Sequence, residues 1–149
     1  YVDGATIENV YIDATYTVSG NNNGGVFAQS NNGAAGKTVT VKNVILNIRS
    51  MTSTGTGTGW TPFTPVYGWR NHKTTIDNCY VISTYTEIPV ANGCTLNNCL
   101  PFADLGALYA GDLTVFDGAL WTFDTENKTE QPRVRENLYN TAAYTPAGA

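Results

Sequence analysis

One five-residue phrase recurs along the chain and constrains its fold more than any other feature. It reads Thr, an apolar residue, any residue, Asn, and then Val or Cys, and it occurs at 6–10, 40–44, 75–79 and 95–99. A degraded fifth copy at 114–118 carries Asp in the Asn position. Successive Asn or Asp positions are separated by 34, 35, 20 and 19 residues. A unit of 19 or 20 residues, holding short β segments and Gly/Asn turns, is the size of one coil of a β-solenoid.

A second apolar segment accompanies the phrase and predicts another strand in each coil. These segments align at 26–30, 66–70, 90–93 and 107–111. The two longer spacings then represent single coils with insertions of about 15 residues. The insertions contain 19–25 with 31–36, and 51–61.

The repeat therefore predicts an all-β fold, a short parallel β-helix of about five coils with loop insertions. We expect the solenoid domain to cover residues 1–135, followed by a tail or linker over 136–149. The stretch from Trp121 to Val134 indicates a final turn or hairpin. Because an open solenoid exposes a strand edge, this end of the chain is expected to form a cap. The predicted capping residues are Phe116, Leu120, Trp121 and Phe123.

The recurring Asn has a physical reason in such a coil. A sharp turn between two strands uses the left-handed conformation, which Asn tolerates better than most residues. The side-chain amide can also hydrogen-bond the amide of the next coil. We therefore expect a structural ladder of side chains, formed by Asn9, Asn43, Asn78, Asn98 and Asp117.

Stacking the coils places Cys79 and Cys99 one above the other, about 4.8 Å apart by strand spacing. That separation is compatible with a disulfide. It is equally the arrangement of an apolar ladder of two buried free thiols, because Cys is among the most buried residue types. Cys94 is left over in either case. The redox state of the three cysteines therefore stays open at this point.

Charge is scarce, and this scarcity excludes several classes of function. Charged residues make up 13% of the 149 residues, with a net charge of −4, while Thr and Asn together supply about a quarter of the chain. No run of Lys or Arg offers a nucleic-acid surface, so no nucleic-acid partner is expected. No apolar stretch approaches the ~18 residues of a membrane span, so no membrane insertion is expected. The chain lacks an initiator Met, and we expect it to be a piece of a longer protein.

The acidic residues do not predict a catalytic site. Glu8 and Asp77 occupy the same position of the phrase, one residue before the Asn, but Lys42 occupies it in the copy between them. An alternating charge ladder on a solvated face is favoured over a pair of catalytic carboxylates. His72 is the only histidine, and it has no partner at the spacing of a catalytic triad or a zinc site. We expect no enzyme activity, no catalytic residue, no cofactor and no metal.

A cluster of aromatic residues in the second insertion is the candidate for recognition. Planar rings on a loop stiffened by Pro62 and Pro65 suit stacking on sugars or anchoring a protein partner. The alternative is that the loop folds back and its rings form a small satellite core. The neighbouring turn adds two side chains that could contact an anionic glycan. The candidate binding residues are Trp60, Phe63, Tyr67, Trp69, Arg70 and His72.

Two stretches resemble the GLUG-type repeat of bacterial surface proteins. Gly24–Gly33 followed by Val41–Val44 is similar to its Gly-apolar-apolar stretch and Asn-Gly turn, and Ile76–Val81 is similar to its Ile-x-Asn-Cys-Tyr phrase. The resemblance implies a right-handed parallel β-solenoid in an extracellular or cell-surface bacterial protein. It implies a non-catalytic adhesive or structural module, a stalk or spacer. A glycan or a host or cell-surface protein is the candidate partner, and the aromatic insertion is its candidate contact region. A fragment of a β-helix polysaccharide lyase or hydrolase and a phage fibre or tailspike segment are the alternatives. Neither the ligand nor the oligomeric state follows from the sequence.

Overall fold

The computed structural model describes residues 4–18, 28–30, 38–53, 66–68, 74–84 and 94–135. These residues are mostly β-strand, with one short helix. The elements in chain order are β1 Thr6–Val18, β2 Ala28–Ser30, β3 Val39–Ser53, β4 Val66–Gly68, β5 Thr74–Ile82, β6 Cys94–Asn97, β7 Leu100–Phe102, α1 Leu105–Ala110, β8 Trp121–Thr122 and β9 Arg133–Val134.

The main sheet is parallel and is built from the copies of the phrase. Its strand order is β1-β3-β5-β6, and β7 also pairs with β5. Each copy pairs with the next in the register of the repeat, so that Thr6 pairs with Thr40, Thr40 with Thr75, and Thr75 with Thr95. A parallel sheet assembled from consecutive copies is compatible with the predicted all-β class.

The Asn of each phrase changes which side chains reach the core. In β3 the buried residues Val41 and Val44 lie two positions before and one position after Asn43, which has φ of 54°. Side chains of a regular strand alternate with a period of two, so Val41 and Val44 would otherwise lie on opposite faces. The single left-handed residue shifts the alternation by one position. Apolar residues on both sides of the Asn therefore enter one core.

That first core is aliphatic and follows the same positions from strand to strand. Its fully buried members come from β3 and β5, and residues of β1 and of 96–99 pack against it. They are Val39, Val41, Val44, Leu46, Ile48, Ile76, Cys79 and Val81, with Ile7, Val10, Ile12, Leu96 and Cys99 at the margins. Because like residues stack on like, the core continues from one strand to the next without a change in packing.

The opposite face of the sheet is covered by the C-terminal segment. Ile45, Tyr80 and Ile82 lie between the residues of the first core and are buried as well. They contact Leu108 of α1 and a group of aromatic rings from the turns and the hairpin that follow. The continuous apolar run 44–46 reflects this arrangement, because a strand that is buried on both faces loses its polar alternation.

The C-terminal segment differs from the prediction in two respects. Residues 107–111, aligned with the second strand of the other coils, lie in and directly after α1. The Asp104 carboxylate caps this helix by accepting a hydrogen bond from the amide of Ala107 at 2.8 Å, and the Leu- and Ala-rich sequence favours a helix. The degraded phrase at 114–118 forms turns. Asp117 Oδ1 accepts from the amide of Ala119 at 2.8 Å, so Asp117 closes a local turn and does not extend the ladder.

The predicted capping residues also lie elsewhere than expected. Phe116 and Trp121 are buried in the second core, with Leu120 and Phe123 packed against them, so they cover a face of the sheet and not its open edge. The physical reason is the apolar character of that face, which solvent would otherwise reach. The hairpin itself forms as predicted, with Trp121 pairing antiparallel with Val134.

Strand β7, the last strand of the main sheet, contains a proline, Pro101. Phe102 O accepts from the amide of Ser83 at 2.9 Å, so the polar groups of Phe102 face β5. Backbone groups of successive strand residues point to opposite sides, and those of Pro101 therefore face away from β5. Since proline has no N–H, this edge lacks one donor that an added strand would need.

A second, shorter pairing joins β2 to β4 in parallel. The sequence alignment matched Val26 with Val66, whereas the structure pairs Ala28 with Val66, a difference of two residues. Segment 90–93, most of both insertions and the tail 136–149 lie outside the described residues.

Candidate functional site

The Asn residues of the four phrases form a continuous chain of hydrogen bonds. Asn43 Nδ2 donates to Asn9 Oδ1 at 3.3 Å, Asn78 Nδ2 to Asn43 Oδ1 at 2.9 Å, and Asn98 Nδ2 to Asn78 Oδ1 at 2.9 Å. All four have positive φ, between 52° and 56°. We call Asn9, Asn43, Asn78 and Asn98 the Asn ladder. Each Asn thus adopts the left-handed backbone conformation of the turn, and its side chain links it to the neighbouring phrase.

The charged positions beside the Asn ladder also stack across the sheet. Glu8 pairs with Lys42, Lys42 with Asp77, and Asp77 with Asn97. The Asp77 carboxylate accepts from Asn97 Nδ2 at 2.6 Å. Lys42 therefore stands between the two carboxylates, an order that suits mutual charge compensation on an exposed face.

Cys79 in β5 and Cys99 between β6 and β7 are free thiols. Cys79 is fully buried in the first core, while Cys99 is half-buried and its thiol lies 3.4 Å from the carbonyl oxygen of Ile76. Burial raises the pKa of the Cys79 thiol well above its usual range, and the neighbouring Cys99 adds to the effect. Burial also raises the pKa of Cys99. Thiols held in the neutral form are weak nucleophiles, so these two act as core residues.

A polar network joins the main sheet to the hairpin. Gln131 Oε1 accepts from the Tyr11 hydroxyl and, at 3.2 Å, from Asn47 Nδ2. Asn47 also lies 3.4 Å from the Tyr11 hydroxyl. Burial is the main cause that raises the pKa of Tyr11. One acceptor with two donors fixes the orientation of the Gln131 amide.

The loop between β8 and β9 is organised by one carboxylate. Asp124 accepts from the amides of Asn127, Thr129 and Glu130 at 3.0–3.1 Å, and from the Thr129 hydroxyl at 3.3 Å. The backbone amides of Thr129, Glu130 and Asn127 lower the pKa of Asp124 to about 2. Both oxygens of the Asp124 carboxylate are therefore engaged in structural hydrogen bonds within the loop.

Two more contacts fix the hairpin against the rest of the domain. The Tyr109 hydroxyl of α1 donates to the carbonyl of Glu130, and Trp121 Nε1 donates to Asn9 Oδ1 at 3.3 Å. The first member of the Asn ladder is thereby held by the C-terminal segment as well as by Asn43. The sequence analysis did not single out Tyr11, Asn47 or Gln131, because the repeat does not relate the hairpin to the main sheet.

The predicted binding residues of the second insertion cannot be placed in this way. Trp60, Phe63, Trp69, Arg70 and His72 lie outside the described residues, and of Tyr67 only the backbone in β4 is described. The structure thus neither groups nor separates them.

Two further observations concern the described part of the chain. Within it, no group of three or more His, Cys, Asp or Glu side chains is arranged to hold a metal ion. No helix among these residues is long and apolar enough to cross a bilayer.

Comparison of the chain with known proteins identifies no relative. No protein-family model, no curated protein and no solved structure matches the chain.

Proposed function

We propose that this chain is a segment of a right-handed parallel β-solenoid and serves as a non-catalytic structural or adhesive module of an extracellular bacterial surface protein. In this role the solenoid is a stalk or spacer that holds other parts of the protein away from the surface. Each coil adds a rise of about 4.8 Å, so length follows directly from the number of coils.

The observation that carries the proposal is the register of the main sheet. Four consecutive copies of one phrase pair in parallel, copy on copy, and the Asn ladder links them in the same order. This nearest-neighbour pairing is the defining property of repeat proteins that extend in one dimension. The GLUG-type resemblance supports the extracellular, bacterial setting of the proposal.

The distribution of carboxylates favours a structural role over catalysis. A glycosidase needs two carboxyl groups facing one substrate. Lys42 separates Glu8 from Asp77, and both oxygens of Asp124 accept from backbone amides. These groups already have structural partners in the fold.

A turnover assay tests the proposal directly. We expect no reducing-end or unsaturated product when the domain is incubated with neutral and anionic polysaccharides. Product that forms with the parent domain and is lost in Asp77→Asn, but not in the control Asp13→Asn, would assign the chain to a lyase or hydrolase. The mass in solution is a second test, because a stable trimer would indicate a fibre segment.

The adhesive part of the proposal belongs to the second insertion. Its rings and the cationic turn are offered as the contact region for a glycan or a cell-surface protein. Glycan-array binding should then be lost in a Trp60→Ala, Trp69→Ala double variant. Binding that persists in that variant would remove the insertion from the proposal and leave the spacer role.

A further inference from the structure

The hairpin borders a cleft that the solenoid role does not use. Its volume is about 270 Å³. The walls come from β8, β9 and the ends of the loop between them, at the side of the domain where the hairpin meets the main sheet. Its lining residues are Thr122, Phe123, Asp124, Glu130, Gln131 and Arg133.

The side chains of this cleft are held before any ligand arrives. The Phe123 ring packs against three others, with centroids 6.3 Å from Tyr109, 5.7 Å from Phe116 and 5.8 Å from Trp121. The Trp121 ring lies parallel to it, at an interplanar angle of 7°. Gln131 is fixed through its Oε1, as described above. Preorganised walls lower the entropic cost of binding.

The polar atoms that remain available are suited to hydroxyl groups. Both hydrogen bonds of the Gln131 amide are accepted by Oε1, and Nε2 has no acceptor in the described part of the chain, so its two hydrogens can be donated to a ligand. Arg133 pairs with Glu130 at 2.7 Å, which engages one guanidinium nitrogen and one carboxylate oxygen and leaves further donors and acceptors. A half-buried aromatic ring beside planar polar groups provides an apolar surface and directional hydrogen bonds in one place.

The charge and the volume of the cleft further restrict the class of ligand that it can bind. Asp124 and Glu130 bring two negative charges against the one positive charge of Arg133, which disfavours an anionic ligand. The volume lies below the range of about 300–1,000 Å³ that is typical for drug-sized ligands, so one ring fits rather than several.

We propose that the cleft between β8 and β9 binds a single uncharged sugar ring, with Phe123 as the apolar wall and Gln131 Nε2 as the fixed donor to a hydroxyl group. The site contains none of the residues of the aromatic insertion, and it does not depend on the solenoid assignment. The ring can be a terminal residue or one unit of a polysaccharide, because the cleft is open to solvent on one side.

Titration of the full chain with uncharged hexaoses of glucose, mannose, galactose and N-acetylglucosamine tests the site, with hexagalacturonate as the charged comparison. Amide chemical shifts measured by NMR locate the binding. We expect at least one uncharged sugar to shift the signals of 122–124 and 130–133, with weaker shifts from hexagalacturonate.

Gln131→Glu is the decisive variant. It keeps an oxygen to accept from Tyr11 and Asn47 but removes both Nε2 hydrogens, so the hairpin retains its anchor while the donor is lost. We expect affinity to fall about tenfold or more. Phe123→Leu, which keeps an apolar wall without an aromatic face, should weaken binding to a similar degree. Glu126→Gln, an exposed change in the same loop, is the matched control and should bind as the parent does.

The results of these titrations distinguish sugar binding in the cleft from binding at the aromatic insertion. Shifts that are confined to the insertion, or affinity that is unchanged in both Gln131→Glu and Phe123→Leu, would overturn the cleft. So would the absence of any saturable shift up to about 10 mM sugar, which is weaker than specific recognition requires. Tighter binding of hexagalacturonate would also contradict it. If Gln131→Glu does not fold, the chemical-shift map of the parent chain and the affinity of Phe123→Leu test the cleft without it. The result of the turnover assay does not affect this test, so the cleft and the proposed function can fail separately.

Discussion

At the scale of single residues, Asn performs two tasks that no other side chain combines. Glycine adopts positive φ more readily but has no amide to reach the next strand. Aspartate can accept but cannot donate, and four stacked carboxylates would repel one another. The Asn ladder satisfies both requirements, with φ between 52° and 56° at every member.

Substitutions at Asn43 separate these two tasks. Asn43→Ala removes hydrogen bonds to Asn9 and Asn78, and it leaves in the left-handed conformation a residue that tolerates it less well than Asn does. We expect the free energy of unfolding to fall by about 2–4 kcal/mol. Asn43→Gly loses only the hydrogen bonds and should cost about 1–2 kcal/mol. Urea denaturation measures both, and equal losses in the two variants would argue against a conformational role for the side chain.

Asp124 gives the domain a defined response to acid. Its pKa in the folded chain, about 2, lies below its ordinary value of 3.8. The carboxylate therefore stabilises the fold above pH 3.8, and this contribution is lost as the pH falls toward 2. We expect the urea midpoint to decrease over that interval.

The matched variants for this response are Asp124→Asn and Glu126→Gln. Asp124→Asn should be less stable at neutral pH and show a shallower decrease between pH 4 and 2, while Glu126→Gln should follow the parent. Part of the decrease will remain, since hydrogen bonds from Thr114 also lower the pKa of Asp112. An unchanged slope in Asp124→Asn would show that the loop is not stabilised by its carboxylate.

At the scale of elements, the hairpin contributes to the core out of proportion to its length. β8 is two residues long, but Trp121 is 2% exposed and packs 4.9 Å from Phe116 between ring centroids. Trp121→Ala should lower the free energy of unfolding by about 3–5 kcal/mol, because a large buried side chain is replaced by a cavity. Its exposed neighbour provides the control, with Thr122→Ala changing stability by about 0.5 kcal/mol or less. Similar losses in the two variants would place the hairpin outside the cooperative core.

Strand β7 is the second element whose sequence gives a testable prediction, because Pro101 removes a hydrogen-bond donor from its outer edge. Pro101→Val restores an N–H on the side away from β5, where β7 pairs with no other strand among the described residues. We expect self-association to increase, since edge strands with a full set of donors template further pairing. Sedimentation velocity at several concentrations measures the change. Pro101→Val that sediments like the parent chain would mean that the proline does not protect this edge.

At the scale of the whole molecule, the sequence predicted the parts of the fold that repeat and missed the parts that occur once. The pairing of Thr6, Thr40 and Thr75 follows from their common place in the phrase. Residues 107–111 were assigned to a strand because they aligned with other copies, but the Asp104 cap and tertiary burial of Leu108 favour a helix. A local alignment carries no information about such long-range packing.

The candidate cleft could not be predicted from the sequence either. Gln131 and Tyr11 are 120 residues apart and meet only because the C-terminal segment crosses the sheet. One signal was present, the apolar run 79–82, which indicates burial on both faces and hence a covering element. The identity of that element is decided by the fold as a whole.

Scarcity of charge should make the stability of the molecule insensitive to salt. The described ion pairs, Arg49 with Asp13 and Arg133 with Glu130, both involve largely exposed Arg side chains. Exposed pairs contribute little and are screened at moderate ionic strength. We expect the free energy of unfolding to change by about 0.5 kcal/mol or less between about 0.05 and 0.5 M NaCl. A decrease of about 2 kcal/mol would reveal a stronger electrostatic contribution.

The Asn ladder has a direction, because every Nδ2 donates to the Oδ1 of the phrase that precedes it in the chain. A unit introduced in frame between two others would find an acceptor on one side and a donor on the other. Whole units can therefore be gained or lost by duplication or deletion of a gene segment without a new interface having to evolve. Selection can then adjust the length of such a protein separately from the chemistry that holds it together.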